Sequence, residues 1–248
     1  MSPLAVSAIV VCVLFGSALI GMAIRRAMPE RYKDEHTSNI VKTAMGLIGT
    51  VSALVLGLVI ATAKSSYDDR AGQTRQLTAK AIQLDALLSA YGPDAQKARI
   101  LLRQANNELV QRIWQGEAVG KSAFQVAAPS IALLNEIEFL KPANDLQRSL
   151  QSRAAQTYAD LMQERLLLFA RSGTSVPTPF LVVLIFWLAV IFASFTILSQ
   201  ANAFGVAAIA VAAISLSGAI FLILELDYPF TGLLQIPREL LSNALPNL

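Results

Sequence analysis

The stretch "GLIGTVSALVLGLVIATAKSSYDDR" (Gly46–Arg70) changes its solvent preference partway along. From Gly46 to Ala63 it carries no charge; then Lys64, Asp68, Asp69 and Arg70 arrive within seven positions. Neither proline nor any other helix stop separates the two halves. An apolar run from Ile40 to Ala63 is long enough, at about 1.5 Å per residue, to cross a hydrocarbon core of about 30 Å. The reading is a helix that spans a bilayer and continues into water.

Three more blocks share the apolar character: Leu4–Ile24, Phe180–Ser199 and Phe204–Leu226. They account for a composition that is 54% hydrophobic and only 15% charged, with a mean hydropathy of +0.53. Leu4–Ile24 is read as a retained helix rather than a cleaved leader. No Lys or Arg precedes it, no A-x-A site follows it, and Arg25 and Arg26 stand behind it. The lone Cys12 lies inside this segment and is expected to pack there.

Between the second and third blocks the chain is polar. Residues 64–178 hold 14 of the 20 Lys/Arg and 11 of the 17 Asp/Glu, both signs mixed as on a solvated surface. Apolar positions there recur at steps of three and four, the spacing of one helix face. Tyr67, Thr74, Leu77, Ala81, Leu84, Leu88 and Tyr91 make the first such stripe, which Gly92-Pro93 ends. Ala98, Leu102, Ala105, Leu109 and Ile113 make the second. Ser122 with Gln125 resembles a capping box ahead of Phe124, Ala127, Ile131, Leu134 and Ile137, a piece that Pro129 breaks or kinks. Leu146, Leu150, Ala154, Thr157, Leu161 and Leu168 make the last stripe, closed by Gly173 and Pro177. No strand alternation occurs. The expected fold class is all-α: an integral membrane protein with four transmembrane helices and a helical extramembrane domain between the second and third. The divisions are 1–63 for the first two membrane helices, 64–178 for the helical domain, 179–227 for the last two membrane helices, and 228–248 for a tail packing at the membrane surface.

Several chemistries find no support. One His (His36) and one Cys cannot build the usual zinc sites, and no G-x-S-x-G or P-loop pattern occurs. No nucleophile–base pair can be assembled, so an enzyme is not expected, nor is a cofactor or bound metal. The net charge of +3 and the lack of a basic patch with interleaved aromatics argue against nucleic acid as a partner.

On the second helix, Thr43, Gly46, Thr50, Ala53, Gly57 and Ala61 lie within about 80° of arc, and Lys64 and Asp68 extend the stripe past the membrane. Such a small-residue face either packs closely against another helix or, repeated around an oligomer, lines a narrow pore with a ring of Lys64 at its mouth. A ring of that sign favours anions. No charge lies within the membrane part of the stripe, which argues against the ion relay of a pump.

In "LILELDYPFTGLLQIPREL" (Leu222–Leu240) two carboxylates close the fourth membrane helix. A carboxylate in hydrocarbon is costly, so Glu225 and Asp227 mark the helix end at headgroup level or face protein. Tyr228, which precedes Pro229, is expected to break the helix. Asp227 then pairs with a base or accepts backbone N–H bonds in the turn it starts. Glu225, Asp227 and Pro229, with Asp68 and Arg70 at the other membrane exit, are candidate structural-turn or gating contacts. Lys97, Arg99 and Arg103 form a short basic face expected to be solvated.

"LVLGLVIATAKSSYDDR" (Leu54–Arg70), "LDALLSAYGPDAQKARILLRQ" (Leu84–Gln104) with Ile113-Trp114 after it, and "LILELDYPFTGLLQI" (Leu222–Ile236) together resemble the bacterial bestrophin-like membrane family. The resemblance runs in order from about Met28 onward. It implies the architecture of the bestrophins proper, which are pentameric anion channels with a helical cytosolic domain between the second and third membrane helices. There the second helix lines the pore, and an acidic stretch with a Pro-Phe-Gly pattern after the fourth helix helps hold calcium. Asp227, Pro229, Phe230 and Gly232 are similar to that stretch. Leu233, Leu234, Gln235 and Ile236 stand where further acids are expected, and no aromatic pore constriction is evident.

The expected function is a homo-oligomeric, passive conduit for small inorganic ions in a bacterial inner membrane. The rival is a membrane-anchored scaffold or signalling protein whose helical domain docks a partner. The resemblance places that domain in the cytoplasm. The short-loop bias of Arg25, Arg26, Arg31 and Lys33 points the other way, but Lys64, Arg70, Arg75, Arg165, Arg171 and Arg238 on the opposite flank make the counts about even.

Overall fold

A computed structural model describes residues 2–27, 35–114, 128–170, 176–198, 203–242 and 245. Among them every regular element is helical: α1 (Pro3–Ala27), α2 (Glu35–Tyr91), α3 (Gln96–Trp114), α4 (Ala128–Glu138), α5 (Asp145–Ala170), α6 (Thr178–Leu198), α7 (Ala203–Asp227) and the short α8 (Glu239–Ser242), plus one 3-10 turn at Pro93–Ala95. Four helices, α1, α2, α6 and α7, are long and apolar enough to cross a membrane. The chain divides into two compact units: Met1–Ser66 with Thr174–Asp227, and Tyr67–Gly173 with Tyr228–Leu248. Helix α2 contributes to both.

In the first unit α1 lies against α6 and α7. Val10, Leu14 and Ala18 of α1 pack with Leu184, Leu188 and Phe192 of α6 and with Ala213 and Ile220 of α7. Near its end α1 meets α6 without a side chain between them. A Cβ on Gly21 would collide with the Thr196 hydroxyl and the Ala193 carbonyl, so only glycine permits that approach. Arg25 Nη1 then donates to the Ile197 carbonyl at 2.8 Å, satisfying a group the end of α6 leaves open. At the other end of the bundle Ser217 Oγ donates to the Ser7 carbonyl at 2.7 Å. Val59 and Ala63 of α2 join Val176 and Ile223 there. The starts of α1 and α6 and the ends of α2's apolar run and α7 therefore share one end of this bundle. Cys12, expected to pack inside, is exposed, because α1 buries the Val10–Leu14–Ala18 face instead.

The second unit is built on the expected stripes. Leu77, Ala81, Leu84, Leu88 and Tyr91 of α2 meet Ala98, Leu102, Leu109 and Ile113 of α3, closed over by Leu133 and Ile137 of α4 and Ala154, Tyr158 and Leu161 of α5. The α2–α3 reversal runs through Gly92, at φ +114° and ψ −167°, a region essentially reserved for glycine. Two glutamines of α5 cap other helices. Gln147 donates to the Tyr91 carbonyl at the end of α2 at 3.1 Å, and Gln151 to Ile137 and Leu140 at the end of α4, both at 2.9 Å. Gln147 also completes a reciprocal cap at the start of α5: its N–H donates to Asn144 Oδ1 and its Oε1 accepts from Ala143 N.

Two details depart from expectation. Pro129 does not break a helix; it falls in the first turn of α4, where no intrahelical N–H is needed. The buried face of α4 is Ser130, Leu133 and Ile137, not one centred on Ile131, which is exposed. The proposed capping box at Ser122 and Gln125, with Phe124 and Ala127, lies outside the described residues, as does Gly173.

The tail contributes to the second unit's core. Leu241 and Leu245 are buried in it. Asn106 Nδ2 donates to the Leu241 carbonyl at 2.9 Å and Trp114 Nε1 to the Ile236 carbonyl at 3.1 Å. The Trp114 and Phe230 rings meet edge to face at 5.3 Å.

Candidate functional site

The apolar half of α2 has two unlike faces. Ser52, Val59 and Ala63 are buried in the first unit, with Val55 and Leu56 partly so. On the other side Thr43, Gly46, Thr50, Ala53, Gly57, Ala61 and Lys64 are all exposed. A Cβ placed on Gly46 or Gly57 would meet nothing within 4 Å. Leu47, Leu54 and Leu58 are exposed as well, so within the chain α2 packs along a narrow line at Ser52, Val59 and Ala63 and leaves the small-residue stripe uncovered. Val59, about 200° around the helix from Gly57, falls in the core at 6% exposure.

The stripe's polar atoms are satisfied within the helix. Thr43 Oγ1 donates to the Asn39 carbonyl and Thr50 Oγ1 to the Gly46 carbonyl, each at 2.9 Å. Their protons are thereby committed to the backbone. The stripe carries no charge from Thr43 to Ala61, and Lys64 follows at its end.

The second cluster of candidates is divided by burial. Asp68 is exposed and Arg70 is buried. Helix α7 does end at Asp227. Beyond it the Tyr228 carbonyl accepts from Thr231 N and Gly232 N at 3.3 and 3.1 Å, and the Pro229 carbonyl from Ile236 N at 2.8 Å. Asp227 and Pro229 are buried. Glu225 is buried as well, at 3% exposure, so its placement at headgroup level gives way to its placement within protein. Among the described residues no three His, Cys, Asp or Glu side chains group closely enough to hold a metal ion.

Of the basic face on α3, Lys97 is exposed as expected, while Arg99 is engaged rather than solvated. Arg99 forms a two-point pair with Asp85 of α2 (Nε to Oδ1 at 2.9 Å, Nη2 to Oδ2 at 3.0 Å). That hydrogen bond holds the guanidinium above the ordinary arginine range. Lys97 pairs with Glu136 at 2.7 Å, and the Nε and Nη2 atoms of Arg103 are buried.

Arg165 is the residue that sequence reasoning passed over, counting it only as a basic residue flanking the membrane. It is buried in the second unit's core beside Ser130 and Tyr158. Its spacing did carry a signal. Arg165 continues the Ala154–Thr157–Leu161 stripe by one step of four, where a surface arginine would not fall.

A model of the bestrophin-like domain matches residues 9–241. No curated protein matches the chain. Among solved structures, the crystal structure of a bacterial bestrophin homologue from Klebsiella pneumoniae, carrying a point mutation, matches with a TM-score of 0.69. The two share 14% identity, and the match covers 96% of this chain and 95% of that one. At that identity the likeness is one of fold.

Proposed function

The chain belongs to the bestrophin-like family, and on that premise we propose that it assembles with copies of itself into a passive membrane conduit for small ions, anions before cations. One observation supports this reading above the others: the chain leaves the charge-free, small-residue face of α2 uncovered and packs the helix through Ser52, Val59 and Ala63 on the opposite side. Repeated around a closed ring, that face makes a narrow wall of Thr43, Gly46, Thr50, Ala53, Gly57 and Ala61, and Lys64 forms a cationic collar at its end. The membrane helices are then 1–63 and 179–227, in a bacterial inner membrane, with the helical domain of residues 64–178 on the cytoplasmic side. Asp68, Arg70, Glu225, Asp227 and Pro229 shape the exits of α2 and α7 from the bilayer.

Purified protein in liposomes should pass chloride in preference to potassium under an imposed gradient. Lys64→Glu should lower or reverse that preference, and Gly57→Leu should abolish flux. Val51→Leu, exposed but about 120° around the helix from Gly57, should conduct normally. A monomer or dimer by cross-linking, together with no flux for any ion, overturns the conduit in favour of an anchored scaffold.

A further inference from the structure

Among the described residues of the second unit, Phe139 and Leu233 are the most exposed large apolar side chains, at 78% and 75%. They lie at opposite ends of α3. Phe139 comes one turn after Glu136, whose pair with Lys97 ties the end of α4 to the start of α3. Leu233, with the exposed Leu234 beside it, is on a loop fastened to the other end of α3. There the Trp114 indole donates to the Ile236 carbonyl and meets the Phe230 ring. The 19 residues of α3 set the two places about 28 Å apart.

The loop is held with its leucines outward. Ile236 N donates to the Pro229 carbonyl at 2.8 Å and closes the loop, and the Tyr228 carbonyl takes the N–H groups of Thr231 and Gly232. Ile236 and Pro229 are the residues turned inward. Pro229 is two residues past Asp227, where α7 ends. Leu233 is three residues from Ile236, so it stays within about 11 Å of that closed base. The polar layer outside the hydrocarbon is roughly 5–8 Å deep on each side. Chain length alone therefore keeps both leucines within reach of the lipid surface that α7 leaves.

We propose that Tyr228–Gln235 is a lipid-binding loop: Leu233 and Leu234 enter the boundary between phospholipid headgroups and acyl chains, and Tyr228 sits among the headgroups. Apolar side chains bind such a surface through the area they bury in it. Tyr228 is exposed at the foot of the loop, and a tyrosine suits a level that is apolar on one side and wet on the other. The occupant is lipid rather than a second copy, because the loop adjoins the exit of α7 whatever the assembly. The segment runs on to Leu241 and Leu245 in the helical core, so the contact ties that core to the lipid surface. It does not depend on whether the membrane helices conduct.

The test uses the full chain, with Cys12→Ala, in nanodiscs of phosphatidylcholine and phosphatidylglycerol. A single cysteine is introduced as Leu233→Cys, Leu234→Cys or Phe139→Cys and carries an environment-sensitive fluorophore. All three positions are exposed, so none of the substitutions removes core packing. Lipids brominated close to the headgroup should quench the labels at 233 and 234 several-fold more than the label at 139. Aqueous iodide should do the reverse. Labels at 233 and 234 that iodide quenches as strongly as the one at 139, with no quenching by brominated lipid, overturn the proposal. So does efficient cross-linking of Leu233→Cys between copies with emission indifferent to brominated lipid, which would make the loop a subunit contact instead.

Discussion

Residues 39–63 and 67–91 of α2 are two stretches of one helix with opposite rules of exposure. In the first, Leu47, Leu54 and Leu58 are exposed and Ser52 is buried. In the second, Leu77, Leu84 and Leu88 are buried, while Arg75, Gln76 and Gln83 are exposed. Periodicity is the same in both; only the surrounding medium differs. In water an apolar side chain is driven inward at about 25 cal/mol per Å². In hydrocarbon that drive vanishes, and close packing of small surfaces decides which face meets protein.

The largest test of that contrast pairs two leucines on this helix. Leu84→Ala, at 0% exposure, should lower stability by about 2–5 kcal/mol, the usual range for a leucine-sized cavity. Leu54→Ala, at 74% exposure, should change it by less than about 0.5 kcal/mol. Both are read from thermal or denaturant unfolding in one detergent. Equal losses would mean that the Leu54 side is buried in the assembled protein, and the contrast would fail.

Next comes Gly92, which ends the water-exposed stretch. Gly92→Ala forces a side chain into the φ +114° conformation and should cost about 1–3 kcal/mol. Gly57→Ala in the membrane stretch meets open space and should leave unfolding of the separate chain unchanged. A smaller effect is expected where the second stretch carries charge. Asp85→Asn keeps an acceptor for Arg99 but loses the two-point ionic pair, for about 1–2 kcal/mol. Arg99→Lys should also lose the fork geometry. If neither variant moves the midpoint, that pair contributes nothing beyond alignment.

The smallest effect lies at the surface, between Lys80 and Asp160, which pair at 2.8 Å. The hydrogen bond from Lys80, and then the one from Gln156, hold the Asp160 carboxyl below its ordinary range. A depressed carboxyl stabilises the fold above its unfolded pKa and loses that contribution as pH falls through the lower folded value. Asp160→Asn should therefore narrow slightly the stability difference between neutral pH and pH below about 4. High salt should mute the change. An acid limb identical in the variant would remove this pair from the account.

How far the residues alone led can be judged helix by helix. The stripes of α2, α3 and most of α5 were readable because one face was apolar and the other was not. On α4 the same rule pointed to Ile131, yet Ser130 is the buried residue. Arg165 and Tyr158 both bond to Ser130, which holds that face inward and turns Ile131 out. Arg99 looked like a solvated cation because its partner Asp85 is on another helix, fourteen positions away, and no local pattern joins them. On α1 every face is apolar, so periodicity could not tell Cys12 from Leu14. The small-residue stripe was plain in sequence, but whether the chain itself covers it was not.

Composition and period determined the all-α class, the four membrane-length helices, the polar helical segment between them and the break at Tyr228, because each follows from neighbours within a turn or two. Tertiary structure decided which face of α2 is buried, that Leu241 and Leu245 fill the helical core, that Glu225 is buried in protein, and that Arg165 lines a cavity. Each of these depends on groups brought together from distant positions. Burial and pairing are properties of the assembled surroundings, and a single stretch of chain carries only its side of them.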